Sequence, residues 1–103
     1  MTIKDILIKA KTILDEKGWC QGKYVHSDGR VCLSESIQQA GGVIGNGGAY
    51  YMPIGGEALE AHRYLQDFLG RTVYRWNDDA NRTKSEVLAL LDDAIAKRVA
   101  LGE

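Results

Sequence analysis

The sequence predicts a mainly α-helical (α+β) domain: four helices in a compact fold, one small β-hairpin and a long glycine-rich loop. Apolar residues recur at helical spacing in four segments. An Asp-Gly pair lies between two β-prone stretches, as in a tight hairpin turn. Glycines cluster near the middle of the chain. With 103 residues, of which 45% are hydrophobic, the chain can bury one core, so we expect a single domain over residues 1–103.

The first helix is predicted over residues 3–17. Its apolar positions fall on one face: Ile3, Ile6, Leu7, Ala10, Ile13 and Leu14. Thr2 and Asp5 form a capping pair at its start. Gly18 is suited to end the helix because glycine tolerates the left-handed backbone conformation found there.

The β-hairpin is predicted around Asp28 and Gly29, because a two-residue turn requires positive φ angles that this pair tolerates. The predicted cross-strand pairs are His26 with Val31 and Val25 with Cys32. Since an isolated hairpin is marginally stable in water, we expect it to pack on the helices. Three larger side chains would make that contact: Trp19, Tyr24 and Leu33.

The second and third helices flank the glycine-rich loop. The second is predicted over about residues 33–40, with Gly41 and Gly42 at its end. The third begins near Glu57, whose negative charge suits a helix N-terminus, and ends at Gly70.

The fourth helix is predicted over about residues 84–99. Thr83 and Glu86 match the capping box, in which each side chain pairs with a backbone N–H group of the other residue. Between the third and fourth helices, residues 72–74 are predicted to be extended and residues 76–79 to form a turn.

The glycine-rich stretch from residue 41 to residue 56 is the predicted recognition loop. It contains seven of the twelve glycines and the only proline. A loop this long inside a compact domain is usually functional or disordered. We expect Tyr50, Tyr51 and Met52 to contact a partner, together with Asn46, since tyrosine offers large contact area and methionine adapts to irregular surfaces.

A nucleotide-binding role for the same loop is the weaker alternative. Clustered glycines allow backbone N–H groups to approach a phosphate, but neither common phosphate-binding glycine motif is present. Glu57 would also repel an anion at the start of the following helix.

Cysteine and histidine provide the other candidate chemistry. Cys20, His26, Cys32 and His62 are potential zinc ligands, but they lack the closely spaced cysteine pair of structural zinc sites. A cysteine nucleophile would need His62 as base and Asn77 or Asp78 as orienting group, and no local motif supports that set. We therefore expect no metal, no cofactor and no catalytic residues, with both cysteines as buried thiols.

Charge and hydropathy exclude several classes of protein. Thirteen basic and fourteen acidic residues give a formal net charge of −1, so a strongly basic nucleic-acid-binding domain is excluded. No apolar run is suited to a signal peptide or a membrane helix. We expect a cytoplasmic protein whose partner is neither a nucleic acid nor a membrane.

Motifs near both ends of the chain resemble those of a family of small uncharacterised domains of actinobacteria and their phages. The motifs are Gly18-Trp19-Cys20-Gln21-Gly22, Tyr24, Asp28-Gly29, Val31-Cys32-Leu33, Trp76-Asn77-Asp78, Arg82-Thr83 and Glu86-Val87-Leu88. The resemblance implies a shared fold and a mobile-element setting. It implies no reaction and no catalytic residues.

These features favour a non-enzymatic binding protein, such as a phage or mobile-element accessory protein or inhibitor that occupies the surface of another protein. A small cysteine-dependent enzyme and a nucleotide or small-ligand sensor are the alternatives.

Overall fold

The computed structural model describes residues 2–42 and 56–103. Over these ranges the chain forms five α-helices: α1 Ile3–Lys17, α2 Leu33–Ala40, α3 Gly56–Leu69, α4 Val73–Asn77 and α5 Lys84–Ala100. α2 lies at the centre, in contact with α1, α3 and α4. Of its eight residues only Gln39 is not fully buried, which is unusual for so short a helix. None of the helices described is long and apolar enough to cross a membrane.

The apolar core is built from the inner faces of all five helices. Its fully buried side chains include Ile6, Leu7, Leu14, Leu33, Ile37, Leu65, Val73, Val87 and Leu91. Two of the three expected contacts of the 19–33 connection are present, because Leu33 is in this core and Trp19 packs against it. Tyr24 is buried in a neighbouring small cluster. The connection between α1 and α2 is therefore part of the folded interior.

Local sequence signals predicted the positions of α1, α2, α3 and α5. At both long outer helices the predicted capping box is present. Asp5 N donates to Thr2 Oγ1 over 3.1 Å, and Glu86 N donates to Thr83 Oγ1 over 3.3 Å. In each box the acidic side chain accepts a hydrogen bond from the backbone N–H of the threonine. These bonds satisfy donors that the first helical turn leaves unpaired.

The prediction of four helices is wrong, because α4 forms where an extended piece and a turn were expected. Thr72 is extended and precedes the helix without a side-chain cap. Val73 and Asn77 are both buried, and α4 contacts α2 and α3. Tertiary packing therefore stabilises five residues whose β-branched and aromatic side chains favour extended structure locally.

The predicted β-hairpin is also wrong. Among the described residues there is no strand, and only two isolated bridges occur, Trp19 with Val31 in parallel and Val25 with Val31 antiparallel. Val31 therefore takes part in both bridges. α2 begins at Leu33, only two residues later, so no second strand of useful length can form.

The turn itself differs from the predicted one by one residue in register. Gly29 N donates to His26 O over 2.9 Å, and His26 N donates to Arg30 O over 2.7 Å, so His26 pairs with Arg30. Gly29 has a φ of 96°, whereas no residue other than glycine has a positive φ in the described ranges. Asp28 therefore does not adopt the conformation that the predicted two-residue turn requires. Its carboxylate instead accepts hydrogen bonds from Arg30 N and Nε.

Candidate functional site

Asn77, at the end of α4, is the centre of a buried hydrogen-bond cluster. Its Oδ1 accepts hydrogen bonds from Trp19 Nε1 over 2.6 Å and from Leu33 N over 3.1 Å. Its Nδ2 donates to Cys20 O over 3.2 Å. One side chain that is 1% exposed therefore joins α4 to the connection between α1 and α2 and to the first residue of α2.

Neighbouring residues of the same motifs extend this cluster to the surface. Gln21 Nε2 donates to Asn77 O over 3.0 Å and to Asp79 O over 2.7 Å. Asp78 Oδ1 accepts from Gly22 N and from Asn77 Nδ2, each over 2.9 Å. The Trp-Cys-Gln-Gly and Asn-Asp motifs are therefore bonded to each other. We call these residues the α4 clamp: Trp19, Cys20, Gln21, Gly22, Leu33, Asn77, Asp78 and Asp79.

The clamp gives Asn77 and Asp78 a structural role. The sequence offered them as orienting groups for a cysteine–histidine pair. In the structure their side chains are occupied by bonds to backbone groups, to Trp19 and to each other. These two residues hold segments of the chain together, and neither is bonded to a histidine.

The two cysteines are buried next to Tyr24. Both are free thiols, with Cys20 3% and Cys32 4% exposed. Cys32 Sγ accepts a hydrogen bond from Glu35 N over 3.4 Å and so caps the N-terminus of α2. Cys20 Sγ lies 3.4 Å from Lys23 O.

Burial determines the protonation of both cysteines. It raises the pKa of the Cys32 thiol to about 12 and also raises the pKa of Cys20. A nucleophilic cysteine needs a depressed pKa, so both groups have the properties of structural thiols. This arrangement gives no support to the cysteine-dependent enzyme.

His62 lies elsewhere in the interior, between α3 and α2. It is fully buried, and its Nε2 is 3.0 Å from Ser34 Oγ in the first turn of α2. Its Nδ1 has no hydrogen-bond partner among the residues described. Burial lowers the pKa of His62 to about 4, so the ring is neutral at pH 7.

The Ser34–His62 pair was not predicted from the sequence. In the sequence Ser34 is an ordinary first-turn residue of a short helix, and 28 positions separate it from His62. A serine nucleophile requires a base that a third group orients, as well as access for a substrate. Both side chains have an exposure of 0%, and the second ring nitrogen has no partner in the described ranges. We therefore interpret the pair as a hydrogen bond that joins α2 to α3.

The four potential metal ligands are not brought together. Cys20 and Cys32 share one cluster, His26 lies on the turn with Nδ1 3.0 Å from Asp28 Oδ1, and His62 pairs with Ser34. In residues 2–42 and 56–103 no three His, Cys, Asp or Glu side chains are grouped as a metal site would require.

A shallow groove of about 390 Å³ lies between the end of α1, the turn that follows it and α2. Its lining residues are Glu16, Lys17, Val25, Asp28, Gly29, Val31 and Gln39. Val25 is 41% exposed, and Lys17 Nζ donates to Gln39 Oε1 over 2.7 Å. Its lining combines acidic, basic and apolar side chains, which favours no single ligand class.

The predicted contact residues Asn46, Tyr50, Tyr51 and Met52 lie outside the described residues. The helices on either side of them are close together. A Cβ atom placed on Gly41, at the end of α2, would be 2.5 Å from Ala58 Cβ and 2.9 Å from Ala58 Cα in the first turn of α3. The chain before residue 43 and the chain after residue 55 are therefore held side by side.

Comparison with known proteins places the chain in a family without assigning an activity to it. No curated protein and no solved structure matches the sequence. A family model matches residues 1–97, which include both halves of the α4 clamp. The chain therefore belongs to a protein family of unknown function (DUF6197).

Proposed function

We propose that this domain is a non-enzymatic binding protein that contacts the surface of another protein through residues 43–55. Tyr50, Tyr51 and Met52 would provide most of the contact area, with Asn46 as a polar contact. Aromatic and methionine side chains are enriched at protein interfaces, whereas most charged residues are depleted at their centres. Residues 43–55 contain no Asp, Glu, Lys or Arg, which suits such a surface.

The observation that carries the proposal is the contact between Gly41 and Ala58. It leaves no room for a side chain at Gly41, so α2 and α3 approach closely where the segment leaves and rejoins them. Fixing the two ends of a loop reduces the entropy that is lost when a partner orders it. A glycine-rich segment can then bind at an acceptable entropic cost.

The chemistry of the interior supports a binding role over an enzymatic one. The cysteines are buried with raised pKa values, and the polar groups of the α4 clamp bond to each other. We extend the proposal to the setting that the motifs imply, a cytoplasmic accessory protein or inhibitor of a phage or mobile element.

The test is a binding measurement with two matched double variants. The partner is isolated by affinity capture from the source cells and then purified, and its Kd is measured by calorimetry. Replacing Tyr50 and Tyr51 with alanine should weaken binding at least tenfold, about 1.4 kcal/mol, and leave the melting temperature within a few degrees. The control replaces Val99 and Leu101, which are 55% and 63% exposed on the end of α5, and should leave Kd unchanged.

Two results would contradict the proposal. Loss of stability in the tyrosine variant, with unchanged affinity per folded molecule, would make the tyrosines core residues. A larger effect from Val99→Ala/Leu101→Ala would move the binding surface to α5. For the sensor alternative, a nucleotide at 100 times its Kd should stabilise the fold by about 2.7 kcal/mol, which a thermal-shift screen would detect.

A further inference from the structure

Two thiols from either end of the connection between α1 and α2 meet in one buried cluster beside Tyr24. We propose that Cys20 and Cys32 are a redox-sensitive pair, which closes to an intramolecular disulfide when the domain meets a low-molecular-weight disulfide such as oxidised glutathione. The α4 clamp uses only the backbone carbonyl of Cys20, and Cys32 caps α2 with its sulfur as a hydrogen-bond acceptor. Neither role therefore requires the proton of a thiol.

The backbone register places the two cysteines opposite each other. Val31 N donates to Gly18 O and Cys20 N donates to Val31 O, each over 3.0 Å, which sets Trp19 opposite Val31 in a parallel bridge. One residue further along, Cys20 is opposite Cys32. Backbone segments joined by a bridge of this kind lie about 4.8 Å apart, within the Cα separation of about 4.4–6.8 Å that a disulfide needs.

The bridged pair itself shows that opposite side chains share a side. Val31 is buried in the main core and Trp19 packs against it, so these two side chains face the same way. Side chains alternate along extended backbone, and the next pair, positions 20 and 32, therefore faces the other way. Both thiols are buried there in the separate cluster with Tyr24.

Burial controls how fast the pair can react. It raises the pKa of both thiols, while the charge of Arg30 partly opposes the effect at Cys20. Only a thiolate attacks a disulfide, and burial disfavours both thiolates in the folded protein, so attack follows transient opening of the 18–33 connection. The charge of Arg30 favours the thiolate of Cys20, which we take as the first nucleophile.

The exchange balances without any other reagent. Cys20 loses a proton, its sulfur bonds to one sulfur of oxidised glutathione, and the other glutathione leaves as a thiolate. Cys32 then loses a proton and attacks the Cys20 sulfur, which forms the Cys20–Cys32 bond and releases the second glutathione thiolate. The two thiolates take up the two protons, and the two electrons lost by the cysteines reside in two reduced glutathione molecules.

The experiment follows this reaction in the full chain. Purified protein is incubated in buffers of oxidised and reduced glutathione, with low urea to permit opening, then quenched in acid and alkylated after unfolding. The intact mass should be lower by two hydrogens, and neither cysteine should be alkylated. Dithiothreitol should restore both thiols. The oxidised form should melt about 5 °C or more above the reduced form, because the bond closes a short loop in the unfolded chain.

Cys20→Ser and Cys32→Ser are the controls, with circular dichroism to verify that each is folded. Each should instead take up one glutathione as a mixed disulfide. The proposal is overturned if the native chain keeps both thiols or carries glutathione on both cysteines. It is also overturned if the internal disulfide forms but lowers the melting temperature, because the folded geometry would then not fit the bond.

Discussion

Asn77 joins segments of the chain that are far apart in sequence through a single side chain. Replacing it with alanine removes the acceptor for Trp19 Nε1 and Leu33 N and the donor for Cys20 O. Each buried polar group left without a partner costs about 1–3 kcal/mol. We therefore expect Asn77→Ala to lower the free energy of unfolding by about 3 kcal/mol or more, as measured by urea denaturation.

Asn81→Ala is the matched control, because Asn81 is exposed on the turn before α5. An exposed substitution of this kind should change stability by less than about 0.5 kcal/mol. Similar small losses in both variants would show that the α4 clamp does not stabilise the fold.

His62 makes stability dependent on pH. Its pKa is about 4 in the folded protein, because burial disfavours the charged ring, whereas an unfolded histidine has a pKa of about 6.5. The unfolded state therefore binds the proton more readily between these values. The free energy of unfolding is at its full value above pH 6.5 and falls as the pH decreases towards 4, by about 2 kcal/mol between pH 7.5 and pH 5.

Urea denaturation of the native chain and of His62→Gln at several pH values measures this effect. The glutamine variant should lose the dependence in this window, since its side chain does not titrate. The carboxylates with lowered pKa values, such as Asp5 and Asp28, lose their contributions only at lower pH. A parallel pH dependence in the two proteins would mean that His62 is not the group that titrates.

At the scale of elements, helices with their own start and stop signals could be predicted, and α4 could not. Thr2 with Asp5 and Thr83 with Glu86 are local signals, because each pair lies three residues apart. α4 depends on the burial of Val73 and on Asn77, whose partners Leu33 and Trp19 are 44 and 58 residues away. Periodicity within one segment contains no information about such partners.

The hairpin prediction failed for a related reason. Asp28 and Gly29 do form a turn, but backbone pairing is limited by the sharing of Val31 and by the start of α2 at Leu33. The propensity of the Asp-Gly dipeptide predicts a turn, but it does not determine the length of the strands on either side.

Gly41 determines how closely α2 and α3 approach. Its φ of −83° is accessible to alanine, so only space limits this position. Gly41→Ala would place a methyl group 2.5 Å from Ala58 Cβ, and such overpacking costs about 1–3 kcal/mol. We expect that loss in urea denaturation, and weaker partner binding as the ends of residues 43–55 move apart.

The double variant Gly41→Ala/Ala58→Gly is the control, since it removes one of the two clashing methyl groups. It should recover part of the loss, which is the non-additivity expected of residues in contact. A Gly41→Ala variant that is more stable than the native chain would show that alanine fits and only restricts the unfolded state.

At the scale of the whole molecule, the described helices form a frame in which α1 packs against α5. Lys11 Nζ lies 2.7 Å from Asp92 Oδ1, and Lys4 Nζ donates to Glu103 O over 3.1 Å, which joins α1 to α5 and to the C-terminus. Such surface contacts contribute little, so the frame depends on its core and on the α4 clamp.

Two motifs of the resemblance, Gly18–Gly22 and Trp76–Asp78, supply most residues of the α4 clamp. Trp19, Gln21, Asn77 and Asp78 make these hydrogen bonds within the fold. Each motif could be identified in the sequence, whereas the contact between the two motifs could not. The predicted binding residues Asn46, Tyr50, Tyr51 and Met52 lie between these motifs in the sequence and belong to none of them.

Hydrogen–deuterium exchange tests whether a partner binds residues 43–55. Peptide-level exchange is compared for the purified domain alone and in complex with its partner. We expect new protection to be concentrated in peptides spanning residues 43–55, with little change in the groove between α1 and α2 or at the end of α5. Protection confined to the groove or to α5, with exchange of residues 43–55 unchanged, would contradict it.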